Sequence, residues 1–209
     1  MKRPSGLVRL GMVARLAQLF AGLALYGFTL ALMVRAGLGL APWDVLAQGV
    51  ANRTGIEIGW IVIIIGAVVL LAWIPLRQTP GFGTAANVIV IGLAANGALA
   101  LVRAPHGLAL EIVYMLAGVL LNGIATGLYI GAGLGPGPRD GLMTGWARRG
   151  RLSLRTARTI IEVMVLVAGF ALGGTVGLGT AVYALCIGPL AGYFIPKFSR
   201  VRVRRPAPA

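Results

Sequence analysis

Charge is scarce in this 209-residue chain: 11% of its residues are charged, and only five are acidic. Soluble domains carry about 25% charged residues, so an ordinary water-facing globule is excluded. Cysteine occurs once, as Cys186 inside an apolar run. That rules out an intrachain disulfide and leaves redox chemistry without a second thiol, so core packing is its expected role. Histidine also occurs once, at His106 beside Pro105, without metal-ligand companions. No nucleophile triad can be assembled, so an enzyme, a metal centre or a cofactor is not expected. The Gly-rich turns are not followed by Gly-Lys-Ser/Thr, which excludes ATP binding of the P-loop kind.

Apolar residues fill the chain instead. They make up 58% of it, at a mean hydropathy of +0.88, the composition of an integral membrane protein. The net charge of +14 would suggest nucleic acid in a soluble protein. Here basic residues crowd the cytoplasmic flanks of membrane helices, and no nucleic-acid partner is expected. The uncharged run from Leu16 to Val34 is long for a signal-peptide core and has no small-residue cleavage site before Arg35, so it reads as a retained first span. About 20 apolar residues cross a bilayer as a helix. On that length the spacing predicts six spans, at 14–36, 57–76, 83–103, 110–131, 155–173 and 179–197. Residues 163–196 carry no charge over 34 positions, too many for one helix, and Gly173-Gly174 with Gly177-x-Gly179 divide them into two.

Basic residues orient the spans. With the N-terminus inside, the cytoplasmic side receives sixteen of the nineteen, including Lys2, Arg3, Arg9, Arg15, Arg77, Arg139, the group from Arg148 to Arg158, Lys197 and the tail arginines. Only Arg35, Arg53 and Arg103 fall outside. The expectation is one multi-pass membrane domain with both termini cytoplasmic and a basic tail over 199–209. Anionic lipid headgroups are the expected neighbours of its basic face.

The chain also repeats itself. Ala36-Gly37-Leu38-Gly39-Leu40-Ala41-Pro42-Trp43-Asp44 returns 96 residues later as Ala132-Gly133-Leu134-Gly135-Pro136-Gly137-Pro138-Arg139-Asp140. The register holds onward, from Ile64-Ile65 on Ile160-Ile161 to Gly92 on Gly188, and backward, from Gly22 on Gly118 to Gly27 on Gly123. Repeat 1 covers about 14–103 and repeat 2 about 110–198, a period of duplicated membrane topology. Three spans per copy is an odd number, so the second copy enters the bilayer from the opposite face. The expected fold is all-α, six transmembrane helices in two inverted three-helix repeats, each with a short helix or re-entrant segment after its first span.

Both copies end the first span in Gly-Leu-Gly, the pattern of a left-handed C-cap. Each then places a proline, Pro42 or Pro138, where a helix begins, with Asp44 or Asp140 two residues on. The segments 42–52 and 138–149 are candidates for half-helices dipping into the bilayer, where backbone needs protein or a watery cavity beside it. First-turn capping is the plain role of Asp44 and Asp140. In the sharper reading, both half-helices point at the pseudo-two-fold centre, where two carboxylates bind a cation or relay protons. Glu162, two turns into span five, marks an ion path or pairs with Arg158 on the same face. Its counterpart in the first copy is Gly66, so the halves are not chemically alike. Gly81, Gly83 and Thr84 recur as Gly177, Gly179 and Thr180 before the third span of each copy, and form either a tight turn or an anion-attracting helix start. Asn87, Asn96, Asn122 and Thr126 are assigned to hydrogen bonds between helices. Close packing is assigned to Gly22, Gly27, Gly92, Gly118, Gly123, Gly127 and Gly188. Trp60, Trp73, Tyr114, Tyr129 and Tyr193 read as interface anchors or bundle packing.

Gly37-Leu38-Gly39-Leu40-Ala41-Pro42-Trp43-Asp44, Gly81-Phe82-Gly83-Thr84 and Gly133-x-Gly135-x-x-Pro138-x-Asp140 together resemble the YczE/YyaS/YitT family of bacterial membrane proteins, over nearly the whole chain. The resemblance implies a multi-pass protein of the plasma membrane. Some members are classed as candidate transporters, without an established substrate or assigned catalytic residue. The soluble C-terminal domain of some YitT-type proteins has no counterpart in this sequence, which runs into the basic tail. The expected function is a small inverted-repeat secondary transporter or exporter of a small solute, with its site between the repeats and no assigned oligomeric state. A passive channel is the first alternative, although the paired Asn-Pro-Ala motif of aquaporin-like pores is missing. The second is a non-transporting accessory protein that binds a partner or anionic lipids.

Overall fold

A computed structural model describes residues 11–199, and among these all regular structure is helical. The basic N-terminal residues 2, 3 and 9 and the tail arginines lie outside the described residues. The helices are α1 Met12–Ala36, α2 Pro42–Thr54, α3 Ile58–Leu76, α4 Phe82–Leu101, α5 Leu108–Gly131, α6 Pro138–Arg149, α7 Leu154–Ala171 and α8 Leu178–Phe198. Five of them, α1, α3, α4, α5 and α8, are long and apolar enough to cross a membrane. Helix α7 stands where the fifth span is expected, at 18 residues, and carries Arg155, Arg158 and Glu162 in its first half.

The short helices form as their sequence motifs require. Gly37 closes α1 in the left-handed region, at φ 68°, with its N–H on the Met33 carbonyl. Pro42 and Pro138 then occupy the first turns of α2 and α6, where a missing N–H costs nothing. The end of α5 departs slightly from that of α1: Ala132 stays helical, and the left-handed turn falls on Gly133, at φ 65°.

Helices α1 and α5 pack side by side, with α4 on the flank of α1 and α8 on the flank of α5. Helix α2 lies between α3 and α7, and so does α6. Exchange of α1–α4 with α5–α8 maps nearly every one of these pairings onto another. Details follow the same register. A Cβ on Gly27 would come within 2.6 Å of Ala94 Cβ, and one on Gly123 within 2.6 Å of Leu190 Cβ, 96 residues along in both partners. The apolar area removed from water at such close crossings, at about 25 cal/mol per Å², and their dispersion contacts are available only without a side chain.

One pairing breaks the exchange. Helix α3 packs closely on α4, where Gly59 and Gly92 meet backbone to backbone and Asn96 accepts from the Gly59 N–H at 2.8 Å. Helices α7 and α8 have no comparable contact. Gly188, the counterpart of Gly92, has no atom within 4 Å of where a Cβ would stand, so the packing role assigned to it is corrected. The reason is visible in sequence: Gly59 corresponds to Arg155, which cannot sit at a close crossing. Gly92→Leu should therefore cost about 1–3 kcal/mol through overpacking, whereas Gly188→Leu should stay within about 0.5 kcal/mol of wild type. Thermal unfolding of the purified protein in detergent separates the two, and equal losses would contradict the asymmetry.

Candidate functional site

The first turns of α2 and α6 meet in the interior. Arg139, one residue into α6, donates from Nη2 to Asp44 Oδ1 of α2 at 3.1 Å. Its guanidinium also lies over the Trp43 ring, 5.3 Å from the centroid. Asp44 is buried, with its side chain 4% exposed against 26% for Arg139. A carboxylate this deep is tolerable because a cation and a helix N-terminus share its charge. Sequence position groups Arg139 with the cytoplasmic flanking cations; in the structure it is half-buried against Asp44 of the other half of the chain. Asp140 lies one position on. Its Oδ2 accepts from the Tyr129 hydroxyl at 3.1 Å, and no basic group lies within ion-pair distance of it among the described residues.

The Gly-Leu-Gly loops that aim the two half-helices are held crosswise. Gly83 N–H donates to the Leu134 carbonyl at 2.8 Å, and Gly179 N–H to the Leu38 carbonyl at 2.7 Å. Thr84 caps the Gly81 N–H at 3.2 Å and Thr180 caps the Gly177 N–H at 3.3 Å, while the Thr84 hydroxyl donates onward to the Pro136 carbonyl. The glycines let the backbones touch, since a Cβ on Gly39 would fall 2.7 Å from Gly177 N and one on Gly135 2.8 Å from Thr84 Oγ1. The N–H groups an anion would need at Gly83 and Gly179 are thus taken by carbonyls of the opposite half.

Above this junction lies a cavity of about 270 Å³ lined from all eight helices, near the lower end of the ~300–1,000 Å³ usual for small-molecule pockets. Pro42, Trp43, Pro138, Arg139 and Asp140 line it, with Tyr26, Tyr129 and Tyr183 among its walls. Arg158 and Glu162 line it from α7; they form an ion pair at 2.8 Å and are 48% and 31% exposed. Both belong to α7, which lacks the close contact with α8 that α3 makes with α4. A larger depression of about 430 Å³ between α5 and α8 is lined by apolar residues and Cys186 on the outer surface and offers no charged group.

Of the residues singled out from sequence, Pro42, Pro138, Asp140 and Glu162 line the cavity and Asp44 lies directly beneath it, bound to a lining arginine. Gly81, Gly83, Thr84, Gly177, Gly179 and Thr180 do not line it; they hold the loops beside it. Asn122 bonds Thr29 across α5 and α1 at 2.9 Å, and Asn96 bonds Glu57 at 2.7 Å, whereas Asn87 and Thr126 face the cavity. Trp73 is 2% exposed and donates to the Pro138 carbonyl at 2.9 Å, supporting the start of α6. Arg139, Tyr26 and Tyr183 are the residues that sequence reasoning passes over. Arg139 carries one usable signal: it replaces the apolar Trp43 of the first copy at the second residue of a half-helix.

Apolar helices long enough to span a membrane, two short helices bridged at their first turns and a partly polar internal cavity define a helical membrane protein. The match to a family model over residues 13–196, described as a family of unknown function, DUF6198, is in keeping with this. The chain belongs to that family, which is of the YczE/YyaS type. It is 42% identical over 183 residues to an uncharacterized protein of Haemophilus influenzae, covering 88% of this chain and 84% of the relative. Against the uncharacterized membrane protein YczE of Bacillus subtilis the identity is 30% over 194 residues, covering 89% and 87%. Against the uncharacterized protein YyaS of the same organism it is 23% over 183 residues, covering 86% and 91%. No solved structure matches the chain.

The central pair has a measurable signature. Asp44→Asn or Arg139→Gln alone strands a buried charge and should cost about 3–5 kcal/mol, with the double variant recovering part of that loss. A double-mutant cycle on unfolding free energy reads the coupling; strictly additive losses would contradict a direct pair.

Proposed function

We infer that the chain is a small-solute secondary transporter rather than an enzyme, built from six spans as two inverted three-helix repeats, with its solute site in the central cavity. The observation that carries this reading is the unequal packing of the two halves around the cavity. Helix α3 crosses α4 closely through Gly59 and Gly92, whereas α7 and α8 lack the counterpart contact, which in this reading leaves the cavity open on their side. Inverted repeats that can exchange these two packings give alternating access around a fixed site.

In this reading α7 is the fifth span, its charges gathered at the cavity mouth. Helices α2 and α6 enter from opposite faces, and both termini lie on the cytoplasmic side of the plasma membrane. The open side is then cytoplasmic, and anionic headgroups meet the basic residues there. Asp44, Asp140 and Glu162 are the candidate solute or coupling-ion groups. A passive pore fits less well, because the buried Asp44–Arg139 pair and Trp43 occupy the junction of α2 and α6. Likeness to YitT-type proteins rests on the Gly-rich motifs alone.

Reconstitution tests the reading. Proteoliposomes loaded with a defined metabolite mixture and resolved by mass spectrometry should show saturable flux of one solute class, driven by a proton or sodium gradient. Asp140→Asn should reduce that flux at least about tenfold, the scale of a lost charged hydrogen bond, with the protein still monodisperse. Gradient-independent, non-saturating flux would mean a pore. Absence of flux together with a stably copurifying protein would mean an accessory role.

A further inference from the structure

The walls of the chamber hold five charged groups near or on its surface, and four are spoken for: Asp44 by Arg139 at 3.1 Å and Glu162 by Arg158 at 2.8 Å. Asp140 is left. It lines the chamber, it is partly accessible to it, and its side-chain partner is the neutral hydroxyl of Tyr129. The N-terminus of α6 offsets part of its charge, and with the Asp44–Arg139 and Glu162–Arg158 pairs each neutral the chamber carries one unpaired acid. A cation entering the chamber meets this carboxylate without a basic partner at ion-pair distance.

The surroundings specify the kind. Tyr129, whose hydroxyl bonds Asp140, packs edge to face against Tyr26 with centroids 6.3 Å apart, and both line the chamber. Aromatic rings next to a carboxylate favour ammonium groups over hard metal ions, which need several oxygen ligands. Val62, Ile65 and Val69 of α3 and Ile187 of α8 form an apolar stretch of the wall that would cover a hydrocarbon body, while Asn87, Thr126, Arg139, Arg158 and Glu162 make the rest of the lining polar.

We propose that the chamber binds a small monocationic amine, its ammonium on Asp140 beside the Tyr129 hydroxyl and its apolar body along α3 and α8. This deepens the transporter reading and rests on it for the site, but it commits to a chemical class of solute. The mouth between α7 and α8 admits such a cation past the Arg158–Glu162 pair, whose charges cancel. The volume of about 270 Å³ limits the body to a few carbons or a single ring.

Equilibrium binding to the full chain in detergent, read by thermal shift and calorimetry, tests the proposal with four probes: n-butylammonium, butyrate, butyramide and the zwitterion norvaline. Saturable binding of n-butylammonium is expected, weakened at least tenfold in Asp140→Asn, largely restored in Asp140→Glu and unchanged in Glu111→Gln, an acid outside the chamber. Each variant is accepted only if it elutes as a single species. Butylammonium binding indifferent to Asp140→Asn would overturn the proposal. So would binding of only butyrate, butyramide or norvaline, though the chamber would then remain a solute site and the transporter reading would stand. If the folded wild-type protein binds none of the four and moves no solute in liposomes, both fall.

Discussion

Two short helices begin inside this protein with an ion pair joining their first turns, and a buried helix start needs acceptors for its free N–H groups and a balance for its positive end. Asp44 and Asp140 supply negative charge in the first turns of α2 and α6. Arg139 then reaches from one helix to the acid of the other. The bond does more than neutralise a buried carboxylate. It joins a residue of the first half to a residue of the second, so the half-helices cannot shift independently without stranding a charge. Chamber walls, mouth and loop positions all follow from where that junction sits.

Around the junction the fold is governed by close backbone approach. Each Gly-Leu-Gly loop is received by the Gly-x-Gly-Thr start of a helix in the opposite half, through bonds of 2.7 and 2.8 Å in equivalent places. This crosswise exchange spends the backbone groups that would otherwise face apolar surroundings unsatisfied, a condition no membrane-embedded loop can meet alone. It also ties the depth of α2 to α8 and that of α6 to α4. Chemical asymmetry then enters through a few substitutions between the copies. Arginine replaces glycine at 155, glutamate replaces glycine at 162, and arginine replaces tryptophan at 139. Those three changes separate α7 from α8, charge the mouth and create the central pair.

Much of this was legible beforehand for physical reasons. Span positions follow from apolar run length, so α1, α3, α4, α5 and α8 fall within a few residues of expectation. Proline followed by aspartate after a Gly-rich turn marked α2 and α6. The Arg158–Glu162 pair was readable from i,i+4 spacing and is present at 2.8 Å. Contacts between halves were not legible. Nothing local tells that Arg139 faces Asp44, 95 residues away, rather than the cytoplasm, or that Gly188 looks into open space while Gly92 is wedged against Gly59. Such facts depend on which helix crosses which, and periodicity carries no information on that. The Gly-x-Gly-Thr turns show the same limit: their local geometry was foreseeable, but their partners lie in the other repeat.

Helices whose N-termini face each other run away from the meeting point in opposite directions, so the account requires α2 and α6 to reach opposite membrane faces. Single cysteines at Thr54 and Arg149, the exposed far ends of these helices, placed in a Cys186→Ser background, test this with a membrane-impermeant maleimide. Thr54→Cys should label in intact cells, and Arg149→Cys only in permeabilised cells or inverted vesicles. Labelling of both from the same side would contradict the inverted arrangement and, with it, the central chamber between two opposed halves.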